Sequence, residues 1–138
     1  MVLLGIVGLS LAPAQGAPRT PVFRVIDVFV DSGETPLAAY QFRLVDPAGH
    51  LEIVGLEGGE HPAYASAPYY DPAALSQNRI IVAAFDTGDQ VPVGRTRVAS
   101  LHVQTVEEDP EEYEIELEVA AGPEGQRIDA LVSLERRN

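Results

Sequence analysis

The amino-acid sequence predicts an all-β domain built as an antiparallel sandwich, and three observations carry that prediction. Apolar residues recur at every second position rather than at helical spacing through most of the chain. Turn-forming clusters interrupt them: DSGETP, DPAG, EGGEHP, DTGD, VPVG, EDPEE and AGPEG. The centres of the apolar segments between them lie roughly ten to fifteen residues apart, the rhythm of a sandwich or barrel.

The first element after Pro21 runs from Val22 to Asp31, with Ile26, Val28 and Val30 on one face. Leu37 to Val45 follows, its Tyr40, Phe42 and Leu44 directed inward and Gln41 and Arg43 outward. Leu51 to Leu56 is a short apolar strand. A long interruption from Gly58 to Asn78 holds three prolines and three tyrosines, and only Pro72 to Leu75 suits a helical turn. Arg79 to Phe85 is nearly continuous in Ile, Val and Ala, which predicts a central strand or one covered on both faces. Arg97 to Val103 aligns Ala99, Leu101 and Val103. Glu112 to Val119 is the clearest case: Tyr113, Ile115, Leu117 and Val119 share one face, and four glutamates share the other. A helix would scatter those glutamates around its circumference, whereas a strand puts them all in water. Arg127 to Leu134 closes the series, with Ile128, Ala130, Val132 and Leu134 aligned.

The opening of the chain reads differently. Val2 to Leu11 is mostly apolar and too short to span a bilayer, and small residues follow it in APAQGAP. This is the pattern of a secretory signal without its basic start, expected over residues 1–17, so that the mature domain is 18–138 and the chain is exported. A leader that is not removed would be the only membrane attachment. Gly5, Gly8 and Pro13 argue against a first strand there.

Composition narrows the function. The 138 residues include nine basic residues, all arginine, and 21 acidic ones, for a formal charge of −12. Nucleic acid and anionic lipid both need a basic footprint and are excluded as partners. With 46% hydrophobic residues in regular blocks, the chain forms one folded domain rather than a disordered segment. Cysteine is absent, which removes disulfides, thiolate metal sites and a cysteine nucleophile.

The parts for catalysis are few. His50 lies in a turn, His61 in the Pro-rich interruption and His102 within a strand, with no zinc-binding spacing among them. No G-x-S-x-G elbow and no phosphate-cradling glycine loop is present. The chain is therefore expected not to be an enzyme and to need no cofactor. Asp86 and Asp89 form an acidic turn and Asp71 precedes it, but calcium takes six to eight oxygens, so that site would need a second loop. Four glutamates spaced two apart form a solvated face that would receive a basic partner or protect a strand edge.

Two stretches, VIDVFVDSG and LAAYQFRLVDPAGHLEIVGLEGGE, resemble the opening of a cohesin domain, with Asp46-Pro47 as the corner and LEIVGLEGG as the next strand and loop. NRIIVAAFDTGDQVPVG, RTRVASLHVQTV and RIDALVSLE resemble the family's central and last strands, so the similarity covers about Phe23 to Glu135. The resemblance implies a jelly-roll sandwich of about nine strands. It also implies a non-catalytic secreted module that binds a dockerin-like protein through one sheet face, within an extracellular or polysaccharide-degrading assembly. By position, Ala39, Gln41 and Arg43 would face that partner. A rigid sheet face suits such a role because little entropy is lost on docking. Direct carbohydrate binding is the alternative, with Tyr64, Tyr69 and Tyr70 stacking on a sugar; tyrosines of this kind also cap the end of a sandwich.

Overall fold

A computed structural model describes residues 20–106 and 112–137, and they form eight β-strands. In chain order these are β1 (Pro21–Asp31), β2 (Ala39–Val45), β3 (Glu52–Gly58), β4 (Tyr69–Tyr70), β5 (Arg79–Phe85), β6 (Arg95–Val106), β7 (Glu114–Ala121) and β8 (Leu131–Arg137). Single 3-10 turns at Pro62–Tyr64 and Pro72–Ser76 are the only helical elements among the described residues. The expected leader, residues 1–17, lies outside the described residues, as does most of the EDPEE turn. No helix among the described residues is long and apolar enough to cross a membrane.

The strands form two antiparallel four-stranded sheets, ordered β3-β6-β1-β8 and β4-β5-β2-β7. Ile26, Val28, Val30, Leu101 and Val103 of the first sheet and Tyr40, Phe42, Leu44, Ile80 and Val82 of the second share one buried cluster. The all-β expectation holds, and the arrangement is sandwich-like, with the core between two sheets. Burying side chains of this size is the main stabilising term for a chain with no covalent cross-link. Tyr40 and Phe42 stack with ring centroids 5.9 Å apart, and Tyr64 meets Tyr40 edge-on at 5.3 Å.

The turns follow their side-chain chemistry. Asp46 is buried at the end of β2, and its carboxylate accepts the backbone N–H groups of Ala48 and His50 at 3.0 and 2.9 Å. Gly49 then takes a φ of 76°, which explains the glycine of DPAG. At Gly59 the backbone passes so close to the Arg97 carbonyl and Val98 that a Cβ has no room. This close approach lets the long interruption leave β3 across the start of β6.

One expectation about exposure needs correction, and the alternatives for β5 resolve to the central position. The alternation on β7 was expected to continue through Val119, but Phe42 pairs with Leu117 and Gln41 with Val119, leaving Glu118 as an extra residue in the ladder. That bulge reverses the phase, turning Val119 outward at 39% exposure and Ala120 inward. Strand β5 is internal to its sheet but is not covered on both faces. Ile80 and Val82 are buried, whereas Ile81 and Phe85 are 46% and 62% exposed. Its apolar outer side chains stand on the surface.

The C-terminal element also starts later than its pattern implies. Ile128 and Ala130 pack against the core from an irregular segment, and regular pairing begins at Leu131. In the long interruption, Tyr69 and Tyr70 pair with Ala83 and Val82, a short edge strand that the proline content conceals.

Candidate functional site

The outer face of the second sheet gathers most of the residues proposed from sequence. Cross-strand partners project on the same side of an antiparallel sheet, so pairing defines rows across this face. One row is Phe85 and Ala39, continued by Ala121. The next is Tyr69, Ala83, Gln41 and Val119. A third is Ile81, Arg43 and Glu116, and the last is Arg79, Val45 and Glu114. Ala39, Gln41 and Arg43 therefore run down the middle of the face, and Tyr69 stands on the same face two strands away.

The three tyrosines separate. Tyr69 is 69% exposed, and its ring lies nearly parallel to that of Phe85, with centroids 6.1 Å apart and an interplanar angle of 14°. Tyr70, the adjacent residue of the same short strand, points the other way and packs against the core. Tyr64 is 2% exposed, and its hydroxyl donates to the Leu37 carbonyl at 2.7 Å. Burial pushes the hydroxyl pKa values of Tyr40 and Tyr64 upward, so both stay protonated donors within the core. Tyr64 thus belongs to the core and is withdrawn from any ligand-stacking surface. Tyr69 gains Phe85 as a neighbour instead.

Charge is unevenly placed on this face. The Arg43 guanidinium meets Glu116 at 2.6 Å, and Gln41 Nε2 donates to Glu118 at 3.3 Å. The middle strand is thereby tied to the acidic strand beside it. Side chains at the Arg43–Glu116 pair are 40% and 61% exposed, so water screens the pair and its contribution to stability is below about 1 kcal/mol. Such a pair can be opened by a partner at small cost. The Glu114 carboxylate makes no hydrogen bond or ion pair with the described residues.

The outer face of the first sheet is built differently. Asp27 accepts from Ser100 Oγ at 2.6 Å, and Arg137 reaches it with Nη2 at 2.7 Å and Nε at 3.2 Å. Arg97 donates to Ser100 Oγ and to the Gly58 carbonyl. Burial acts to raise the Asp27 pKa, but the bonds from Ser100 and Arg137 and the nearby positive charges outweigh it, and the net shift is downward. Beside it, His102 Nε2 lies 3.0 Å from Glu57 Oε2, a contact that holds the Glu57 pKa below its ordinary value. Asp27, Ser100 and Arg137 satisfy one another and fasten β8 to β1. Ser100 has no solvent exposure, which closes it to any substrate.

The remaining chemical candidates serve the turns. His61 Nδ1 accepts from Ala63 N–H, Asp71 from Ala73 N–H and Asp86 from Gly88 N–H. Among the described residues, no group of three or more histidines and carboxylates converges as a metal site.

Sequence reading missed Ile81, Phe85 and Val119, which supply much of the exposed apolar area of the second sheet. An unbroken apolar run does not reveal which of its two faces is bare, and a bulge leaves no mark on alternation until the pairing is known. Comparisons with protein-family models, with curated proteins and with solved structures each find no match.

Proposed function

We propose that the chain is a non-catalytic binding module of cohesin-like type that recognises a protein partner through the outer face of the β4-β5-β2-β7 sheet. The observation that carries this reading is the bare apolar surface of Tyr69, Ile81, Phe85 and Val119 around Ala39 and Gln41. Isolated apolar side chains on a surface are ordinary; several in adjacent rows of one rigid sheet suit an interaction site. The jelly-roll form of the sandwich, with a ninth strand, belongs to the same reading. It is supported by a chain that passes between the sheets at nearly every connection: of successive strands, only β4 and β5 share a sheet. Export by the apolar leader and a place in an extracellular, polysaccharide-degrading assembly complete it.

Calorimetry against a panel of bacterial dockerin modules, with and without calcium, tests this directly. Saturable heat with at least one dockerin is expected, and Phe85→Asp should abolish it while leaving the circular dichroism spectrum unchanged. Absence of heat across the panel, or binding that survives Phe85→Asp, would overturn the proposal.

The near-parallel Tyr69 and Phe85 rings support a second reading, in which the same face binds a polysaccharide by ring stacking. Affinity electrophoresis separates the two. Retardation in a polysaccharide gel that disappears in Tyr69→Ala and Phe85→Ala favours the sugar; unchanged mobility on every glycan removes it.

A further inference from the structure

We infer that the partner of this sheet face is a protein segment that is itself cationic, with arginine or lysine side chains beside an apolar centre. The inference rests on the protein-binding reading above and adds the sign of the partner's charge and its place on the face. Charge divides between the two sheets. The strands of the first sheet carry as many arginines as carboxylates, five of each, and several are locked together in the Asp27 and Arg95–Glu135 contacts. The strands of the second sheet carry only Arg43 and Arg79 against Glu114, Glu116 and Glu118, and their loops add Asp71, Asp86 and Asp89. The excess of a chain with formal charge −12 therefore includes the rim of the apolar surface.

The placement is directional. The row of Phe85 continues through Ala39 and Ala121, and the next sets Ala83 and Gln41 between Tyr69 and Val119; the small alanines let a partner approach the backbone closely. Strand β7, two strand spacings or roughly 10 Å from β5, carries the glutamates along one flank. A segment lying with apolar side chains on Ala39 and Ala83, against Tyr69 and Phe85, would bring its neighbouring residues over Glu114 and Glu116. Glu114 is open to such a residue, and Glu116 can exchange its exposed bond with Arg43 for a partner's cation. A second copy of this chain is a poor occupant, since it would bring the same negative excess against itself. Complementary charge of this kind sets association rate and orientation more than bulk affinity, so its signature is salt dependence.

Selection of a phage-displayed random peptide library on the full chain, at low and at high salt, tests the inference. Enriched peptides are expected to place Arg or Lys next to aromatic or aliphatic residues. The best of them, made synthetically, should bind about tenfold more weakly to the Tyr69→Ala, Phe85→Ala double variant, whose charge is unaltered. It should bind several-fold more weakly to Glu114→Gln, Glu116→Gln, with a flatter salt dependence. Thermal melts of both variants establish that they remain folded. Neutral or acidic peptides that still require Phe85 would overturn the charge inference and leave the docking face standing. Basic peptides indifferent to Tyr69 and Phe85 would show diffuse attraction to an acidic chain and overturn the assignment to this face. A selection that enriches nothing overturns the inference, and loss of dockerin heat as well would be needed to remove the reading beneath it.

Discussion

Replacing Phe42 by alanine is expected to destabilise the domain by about 3–5 kcal/mol, lowering its melting temperature by on the order of 10–20 °C. Phe42 is fully buried in the middle of β2, its ring stacks on Tyr40, and its backbone pairs with Val82 on one side and Leu117 on the other. Truncation removes the transfer free energy of the ring and leaves a cavity that rigid strands on both sides cannot close. A domain of this size holds on the order of 10 kcal/mol in total, so much of its stability is at stake. Urea titration of the variant would settle the size of the loss. A midpoint within experimental error of the parent would mean that the two sheets do not meet across this ring.

Asp27→Ala is expected to cost about 2–3 kcal/mol near neutral pH, and the cost should shrink in acid. The substitution leaves the buried Ser100 hydroxyl without its carboxylate acceptor and Arg137 without its bidentate partner. Half-exposure of Arg137 is the reason for the lower end of the range for broken buried pairs. The sign of the pH effect follows from the lowered Asp27 pKa. A carboxyl depressed in the folded state below its unfolded value near 3.8 stabilises the fold fully above that value. That stabilisation is lost as pH falls through the folded value. Parent and variant should therefore hold their separation in urea midpoint from neutral pH down to about 3.8 and converge over the acid interval below it. A gap of constant size across that interval would show that the carboxylate charge is not what binds β8 to β1.

These two positions also mark how far the chain is readable without coordinates. Phe42 sits between Gln41 and Arg43 in an unbroken alternation, and its burial is legible because a half-buried strand needs no information beyond its own residues. Asp27 looks like one more polar residue between Ile26 and Val28. Its role depends on Ser100 and Arg137, which are 73 and 110 positions away, and no local pattern links them. The same limit applies to the candidate binding face. Ala39, Gln41 and Arg43 are readable as outward-facing, but their neighbours Phe85, Ile81 and Val119 arrive through pairing. Tyr64 and Tyr69 look alike in sequence and differ in fate, because one follows a 3-10 turn into the core and the other stands on the outside of an edge strand.

The extra residue at Glu118 has a consequence for how this chain tolerates change in length. Leu117 and Val119 already point to opposite sides with Glu118 between them, so excising that one residue would leave every remaining side chain of the strand on its present side. A shortened chain of this kind should fold with modest loss and pair β7 to β2 without a break. Excising Leu117 instead would drag a glutamate toward the aromatic stack and should prevent folding. Thermal denaturation of the two deletions would distinguish them, and the contrast identifies Glu118 as a spacer, the single place on this strand where the chain can lose a residue without a reading-frame error in its burial.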